Sequence, residues 1–407
     1  MIPAPDTSPS VETSLRYAGW RVVLACFLMA MFLFGFGLYG HGVYLAELQR
    51  LNGWPVALIS GASTLSFLLA NISATFTNEL VARLGVRRLV LLGIAALAAS
   101  TTLLARASSI WQLYAAFMLM SLAWIGMGTV VIAAVVSLWF VHRRGLAISL
   151  AFTGASSGGV VVTPLLVFLV ERFGFSAAML TATAVMVAVL VPVAFAWIGP
   201  PSAGQAPVSS APSGISRAKL MRSLAFWTIS IPFALALLAQ IAFIVHQIAL
   251  LEPKIGRANA GFAVSVMTFT AIAGRLGLGM VADRFNPRRV TAASLVSQAA
   301  ALLTILESDS VPIVLAACAV FGFSVGNLIT LPPLIIHREF SAASFVVVMG
   351  LSIAISGVLG ALGPVLIGMV RDWTGDYHVA LALCIALELV AAVIVVQPGL
   401  IRRPAAV

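Results

Sequence analysis

The chain has 407 residues, of which 61% are hydrophobic and only 9% are charged, and its formal net charge is +10. An average soluble domain carries roughly a quarter charged residues, so a water-soluble fold of this length could not bury so much apolar side chain. The apolar residues come in runs of about twenty, the length that a helix needs to cross the hydrocarbon core. The composition excludes a soluble globular protein and predicts an all-α membrane protein.

The cysteines and the first residues give further information on the class of membrane protein. Cys26, Cys318 and Cys384 each lie inside an apolar run. Their spacing predicts neither a disulfide framework nor a metal site. The first fifteen residues contain two acidic residues and no Lys or Arg. They therefore lack the basic start of a cleaved signal peptide, and we interpret residues 1–19 as a short, mobile cytoplasmic tail.

Hydropathy predicts twelve transmembrane helices in chain order. The spans are residues 20–46, 55–79, 87–105, 110–139, 145–170, 176–198, 224–250, 259–282, 289–306, 311–335, 342–370 and 377–397. Residues 199–223 between the sixth and seventh spans are rich in Pro, Ser and Gly and end in a basic cluster, which is typical of a flexible linker. The predicted plan is a bundle at 20–198, this linker, a second bundle at 224–397 and a tail at 398–407.

Charge placement predicts the orientation. With both termini inside, sixteen of the 23 Lys and Arg residues fall in cytoplasmic loops, tails or span ends, six fall in outer loops, and Arg275 alone falls in the interior of a span. An excess of basic residues on one side marks the cytoplasmic face of a membrane protein. The charge of +10 is therefore mostly an orientation signal, and we expect no nucleic-acid partner. We predict a multi-pass protein of the inner membrane with both termini in the cytoplasm.

The two predicted halves repeat each other at an offset of about 200 residues. VARLGVRR at 81–88 corresponds to VADRFNPRR at 281–289, and TPLLVFLVERFG at 163–174 corresponds to GPVLIGMVRDWTG at 363–375. Two pseudo-symmetric six-helix bundles with a substrate site near the midplane are a recurring plan of secondary transporters.

The loops of this repeat resemble those of the major facilitator superfamily. GMVADRFNPRR at 279–289 is similar to that superfamily's G-x-x-x-D-R-x-G-x-R-R loop, with Asn286 in place of the second glycine, whereas the copy at 78–88 lacks the acidic residue. The resemblance implies that these loops latch the conformational gate. The implied gating residues are Arg83, Arg87, Arg88, Asp283, Arg284, Arg288 and Arg289.

A narrower resemblance is to the monocarboxylate transporters and the oxalate/formate antiporters. WFVHRRGLAISLAFTGASSGG at 139–159 is similar to their fifth-helix signature, and GWRVV at 19–23 to the start of their first helix. The resemblance implies an arginine for the substrate carboxylate at the position of Arg275. Ala271 departs from the pattern, because animal monocarboxylate transporters tend to have aspartate there.

Arg275 is the principal candidate for substrate binding. It precedes Asp283 by eight residues, which places it about 12 Å along the helix from the membrane edge. A charged side chain at that depth is costly and normally faces a partner or a wet cavity. Its guanidinium fork fits a carboxylate in two contacts. The alternative is an arginine that only braces the eighth helix.

Neutral polar residues of the spans complete the predicted substrate site, although each could equally be a helix-bridging residue. They are Gln240, His246 and Gln247 in the seventh span, Tyr39 in the first, Asn71 in the second and Asn327 in the tenth. The candidates for proton coupling are His41, His246 and Glu388. An imidazole titrates near pH 6.5, and a co-transported proton would cancel the cost of moving an anion against the membrane potential.

Enzyme motifs are absent from the sequence, which contains no P-loop, dinucleotide fingerprint, nucleophile elbow or His-Glu-x-x-His run. We expect no catalytic residues, no metal and no cofactor. The leading hypothesis is a monomeric, proton-coupled secondary carrier of a small organic monocarboxylate, since one fixed cation suits a monoanion. The alternatives are a carrier of a neutral or aromatic metabolite, by vitamin uptake or drug-like efflux, and a receptor that senses a solute without moving it.

Overall fold

The computed structural model describes residues 12–14, 17–199, 220–281 and 285–397. Most of the predicted linker, most of the predicted N-terminal tail and all of the predicted C-terminal tail lie outside the described residues. So do two of the predicted gating residues, Asp283 and Arg284.

Every regular element assigned in the described ranges is helical. The α-helices are α1 Gly19–Phe34, α2 His41–Asn52, α3 Val56–Ala74, α4 Thr77–Leu84, α5 Val86–Leu104, α6 Ile110–Met127, α7 Thr129–Trp139, α8 Arg144–Ser157, α9 Thr163–Phe173, α10 Phe175–Trp197, α11 Leu224–Ile255, α12 Arg257–Val281, α13 Pro287–Glu307, α14 Val311–Glu339, α15 Ala342–Thr374 and α16 His378–Val396. Two π-helical turns, Gly35–Tyr39 and Gly158–Val162, interrupt the first and fifth predicted spans.

The twelve predicted spans are confirmed. Within the described residues, twelve helical segments are long and apolar enough to cross a membrane, and each coincides with one predicted span. The ends differ by a few residues. The first segment ends at Tyr39, seven residues before the predicted end, α11 runs to Ile255, and α3 ends at Ala74.

The chain groups into two compact units. The first contains residues 1–53 and 65–209, and the second contains residues 54–64 and 210–407. The boundary between the units falls within α3, whose beginning groups with the second unit and whose remainder groups with the first. Both units thus share one helix.

In the first unit, the two π-helical turns pack against each other through glycine. A Cβ atom on Gly158 would lie 2.5 Å from the Met31 carbonyl oxygen and 2.6 Å from the Gly35 nitrogen, so no larger residue fits there. The Gly40 amide donates to the Gly35 carbonyl oxygen at 2.7 Å, which closes the first π turn. Such turns locally widen a helix and are frequent at functional sites. They lie in the middle of the first and fifth spans.

In the second unit, glycine brings α12 and α14 into direct backbone contact. A Cβ atom on Gly326 would overlap the Ala271 carbonyl oxygen, and one on Gly274 would overlap that of Phe323. Small residues at a helix interface permit this approach in a membrane. The contact fixes the rotation of α12, and therefore the direction in which its side chains point.

The described part of the N-terminal tail is held by the loop between α7 and α8. The Glu12 carboxylate is fully buried and accepts hydrogen bonds from the amides of Val141 (2.9 Å), His142 (3.1 Å) and Arg143 (2.7 Å). The Tyr17 hydroxyl donates to the Trp139 carbonyl oxygen nearby. Burial acts to raise the pKa of Glu12, but the three amides outweigh it and the pKa is lowered.

Replacing this carboxylate should loosen the tail. A group whose pKa is lowered by folding contributes stability above its unfolded pKa and loses it as the pH falls through the folded value. We therefore expect the tail contact to persist at neutral pH and to be lost on acidification below about pH 4. Glu12→Gln should bring the same loss to pH 7, measured as faster proteolysis of the tail. A Glu12→Gln tail as resistant as the parent tail would contradict this role.

Candidate functional site

Arg275 lies on the protein-facing side of α12. Val264, Thr268 and Ala271 are buried on the same face of the helix, and the backbone contact with α14 adjoins them. Phe269 and Leu276, which lie roughly 100–120° around the helix from Arg275, are exposed and would meet lipid. The Arg275 side chain itself is half-buried. The fold thus directs this charge toward protein and away from hydrocarbon, as the cost of exposing it to lipid requires.

Two predicted glutamines of α11 each contact a different neighbouring helix. Gln240 is buried, and its Nε2 donates to Oε1 of Gln298 on α13 at 3.1 Å. Gln247 is fully buried, and its Nε2 lies 3.7 Å from the sulfur of Cys318 on α14. Gln247 Oε1 and Gln298 Nε2 are buried without a hydrogen-bond partner among the described residues. The two contacts join α11 to α13 and to α14. In each pair one polar group, Gln298 Nε2 or Gln247 Oε1, can still bond a further partner.

His246 is the most fully engaged of the predicted polar residues. Its Nε2 lies 2.9 Å from the Pro364 carbonyl oxygen on α15, and its Nδ1 lies 3.1 Å from the Tyr377 hydroxyl. A carbonyl oxygen can only accept, so Nε2 carries the hydrogen and Nδ1 of the neutral ring accepts from Tyr377. A protonated ring would reverse the second bond, with Nδ1 donating to the tyrosine oxygen. Both hydrogen bonds can therefore be kept in either protonation state of His246.

Asn327, on α14, is also buried in the second unit. Its Nδ2 donates to Oγ of Ser294 on α13 at 3.5 Å, and its Oδ1 has no hydrogen-bond partner among the described residues. The contact is long and leaves the acceptor of the amide available. Asn327 thus joins Gln247 and Gln298 as a buried polar group with unused capacity.

His41 sits in an aromatic pocket of the first unit. Its ring centroid lies 5.0 Å from those of Phe67 and Phe117, its Nε2 is 3.1 Å from Sδ of Met120, and its Nδ1 is buried without a hydrogen-bond partner among the described residues. The fold places it at the start of α2, where the π turn ends. Apolar and weakly accepting neighbours surround it, which disfavours an added positive charge.

The other two candidates of the first unit are less enclosed. Tyr39 is half-buried in the π turn, and Asn71 is exposed, with its Nδ2 donating to the Phe67 carbonyl oxygen one turn back at 2.9 Å. The structure also reveals buried Tyr44 and Glu47 on the same helix as His41. Tyr44 follows His41 by three residues, the helical spacing at which side chains are neighbours.

Glu388 is fully buried in α16, and neither carboxyl oxygen has a hydrogen-bond partner among the described residues. An ionised carboxylate in such a place would be very unfavourable. Within the described part of the chain, no hydrogen bond therefore joins this group to the polar residues of α11 and α12.

The predicted gating arginines that the structure describes fall into two groups. Arg83, Arg88 and Arg289 are exposed. Arg87 donates to the Ile198 carbonyl oxygen at the end of α10 at 2.5 Å. Arg288, by contrast, is only 7% exposed.

Arg288 forms the centre of a buried ion-pair network. Its Nε and Nη2 bind the two oxygens of Glu339 at 2.5 and 2.7 Å, and its Nη1 donates to the Val395 carbonyl oxygen at 2.9 Å. Further bonds reach the hydroxyl of Thr228 at 3.2 Å and the carbonyl oxygen of Gln397 at 3.2 Å. One side chain thus joins α11, α13, α14 and the end of α16. Glu339 and Thr228 were not among the predicted residues.

The first unit also contains a cavity of about 490 Å³ near the ends of α2, α5 and α9. Leu48, Leu104, Phe173 and Leu180 are among its mainly apolar lining residues. The described residues that line it include no charged side chain and none of the candidates above, so they offer no group for fixing an anion.

Comparison with known proteins gives the family. The model of the major facilitator superfamily matches residues 27–253 and 241–405. The fold is similar to a bacterial homologue of the human lysosomal transporter Spinster in an inward-facing, occupied conformation, with a TM-score of 0.73 at 15% identity over 94% of this chain and 97% of that one. It is also similar to the nucleoside transporter NupG, with a TM-score of 0.70 at 14% identity over 93% of this chain and 98% of that one.

No curated protein matches the sequence. At these identities the solved structures establish the fold only. The family model, however, covers almost the whole described chain, and the twelve membrane-spanning helices agree with it. The chain therefore belongs to the major facilitator superfamily of membrane transporters.

Proposed function

We propose that this transporter moves a small organic monocarboxylate across the inner membrane, with both termini in the cytoplasm and with a proton as the coupling ion. The observation that carries the proposal is the cation of Arg275 within a membrane-spanning helix, on the face that is turned toward protein. The resemblance of residues 139–159 to the monocarboxylate branch supports it. A guanidinium recognises a carboxylate through two parallel hydrogen bonds, and one cation balances one negative charge.

The substrate class is tested with purified protein in liposomes. Labelled lactate or pyruvate should enter faster than a dicarboxylate of similar size, because a single fixed cation leaves the second carboxylate unpaired in the membrane. A neutral solute of the same size should enter at the rate of empty liposomes. Dicarboxylate uptake equal to that of lactate would contradict the monoanion assignment.

The alternative, a neutral or aromatic substrate, is favoured by one observation. Gln247 Oε1, Gln298 Nε2 and Asn327 Oδ1 are buried with unused hydrogen-bonding capacity among the described residues. Such groups suit a neutral polar solute as well as they suit an acid. A thermal-shift panel of organic acids, vitamins and nucleosides separates the two classes, because bound ligand raises the melting temperature. A shift with neutral compounds alone would establish the alternative.

For proton coupling we assign His246 rather than His41 or Glu388. Tyr377 can donate to or accept from His246, whereas His41 faces aromatic rings and a thioether. His246→Gln should remove the stimulation of uptake by external acid, because an amide does not titrate, while preserving a donor toward Pro364. The measurement compares initial rates with and without a pH gradient of about one unit, which spans the ordinary titration range of an imidazole. Undiminished stimulation in His246→Gln, with loss in His41→Gln, would transfer the assignment to His41.

A further inference from the structure

The first amides of α3 are capped by a carboxylate from the other end of the sequence. Oδ2 of Asp372 accepts from the Ala57 amide at 2.7 Å, and Oδ1 accepts from the Val56 amide at 3.2 Å. A helix leaves its first amides without intrahelical partners, and a nearby side chain usually satisfies them. Pro55 has no side-chain acceptor, so Asp372, at the end of α15, supplies it. The negative charge also opposes the positive end of the helix dipole.

The contact continues along α3 for two turns. A Cβ atom on Gly368 would overlap Oγ of Ser60, so α3 and α15 meet there without space for a side chain. One turn further, Oγ1 of Thr64 accepts from the Val365 amide at 3.2 Å. Asp372, Gly368 and Val365 thus face successive turns of α3. This register explains why residues 54–64 group with the second unit.

Charged and titratable groups surround the cap. Nη1 of Arg371 donates to Oδ1 of Asp372 at 3.2 Å, and the same guanidinium lies 5.9 Å from the ring of Tyr377. Tyr377 in turn bonds His246, which bonds the Pro364 carbonyl oxygen one residue before the amide that reaches Thr64. Burial raises the pKa of Tyr377, so its hydroxyl keeps its proton. The cap and the proposed proton carrier therefore belong to one connected network.

The position of α3 gives this cap a mechanical consequence. Its first residues group with the second unit, and residues 65–74 group with the first. Alternating access requires the two halves of such a carrier to move against each other. Such a movement must break the contacts that hold a shared helix to one unit. Among the contacts of α3 with α15 given above, the cap is the charged one, and water can replace its hydrogen bonds when it opens.

We propose that Asp372 is a latch that holds the beginning of α3 to the second unit, and that its release is the step that frees α3 when the carrier changes conformation. The inference rests on the proposed transport function. Asp372 acts here as a positioning residue and touches no substrate. Under the proposed orientation, the latch lies at the outer side of the membrane.

The test measures the release of α3 directly. Ser60 is fully buried against Gly368, so a Ser60→Cys reporter should react slowly with a membrane-impermeant maleimide. The native cysteines are all buried and can be replaced by alanine for this experiment. Adding Asp372→Asn should raise the labelling rate about tenfold, the size expected for loss of a charge-assisted helix cap. Asp372→Glu, which keeps the charge, should label at a rate between the parent and Asp372→Asn.

A matched control lies four residues away. Asp376 also caps a helix, since its Oδ1 accepts from the His378 amide of α16 at 2.9 Å, but this cap is local. Asp376→Asn should leave the reporter cysteine labelling at the parent rate. Equal labelling in parent and Asp372→Asn, or equal increases in both Asn variants, would overturn the latch.

A second variant keeps the test decisive if Asp372→Asn does not fold. Thr64→Val removes the acceptor of the Val365 amide and should raise the labelling rate by a smaller factor than Asp372→Asn. If Asp372→Asn does not fold, an unchanged labelling rate in Thr64→Val would overturn the proposal. The readout needs no substrate. A labelling change in a protein that does not take up monocarboxylate would therefore refute the proposed substrate while preserving the latch.

Discussion

Arg275→Ala should lower kcat/KM for monocarboxylate uptake by about a hundredfold. The guanidinium would supply two charge-assisted hydrogen bonds to the carboxylate in a site of low dielectric, and alanine supplies none. Arg275→Lys keeps the charge but loses the planar fork, so a loss of about tenfold is expected. Initial rates in proteoliposomes measure both, with protein incorporation checked for each variant.

Arg106→Ala is the matched control for this experiment, because Arg106 is exposed in the loop between α5 and α6. Its uptake should equal that of the parent. Full carboxylate uptake by Arg275→Ala would remove the basis of the anion assignment. If Arg275→Ala still binds a neutral ligand, that result would support the alternative, a neutral or aromatic substrate, because such a substrate does not require the cation.

The second large effect is expected at Arg288, and it concerns stability. Arg288→Ala leaves the Glu339 carboxylate without its cation and removes the donor to the Val395 carbonyl oxygen. Removing one partner of a fully buried ion pair costs about 3 kcal/mol or more, and because 23% of the Glu339 side chain remains exposed we expect about 2 kcal/mol here. The melting temperature of the purified protein should therefore fall by several degrees.

Arg289→Ala provides the comparison for stability, since Arg289 is adjacent and exposed. Its melting temperature should stay within about one degree of the parent value. A double-mutant cycle with Glu339→Ala should give a coupling of about 1–3 kcal/mol. Additive effects of the two substitutions would show that the pair does not stabilise the fold.

The sequence was sufficient for the twelve spans because membrane insertion is a local property. Each helix must satisfy its own backbone hydrogen bonds in hydrocarbon, so about twenty apolar residues identify a span without knowledge of its neighbours. The same argument identified Arg275, since a charged residue within an apolar run is recognised from the sequence alone. Its role in binding an anion stays a prediction.

Contacts between distant segments could not be predicted in this way. Asp372 and Ala57 are 315 residues apart, and Glu12 and Arg143 are 131 apart; in each case an ordinary loop or tail carboxylate caps backbone amides. Arg288 belongs to a loop motif that the sequence shows. Its burial, however, depends on four helices that meet at one point. The π turns depend on two glycine segments packing together.

The sequence by itself determined the class of protein, the number of helices and the cation in the interior of the eighth span, because these follow from transfer free energies of single segments. Only the tertiary structure decided which polar residues share neighbours, why α3 belongs to both units and where the buried charges find partners. Those properties follow from packing and desolvation, which depend on side chains far apart in the chain.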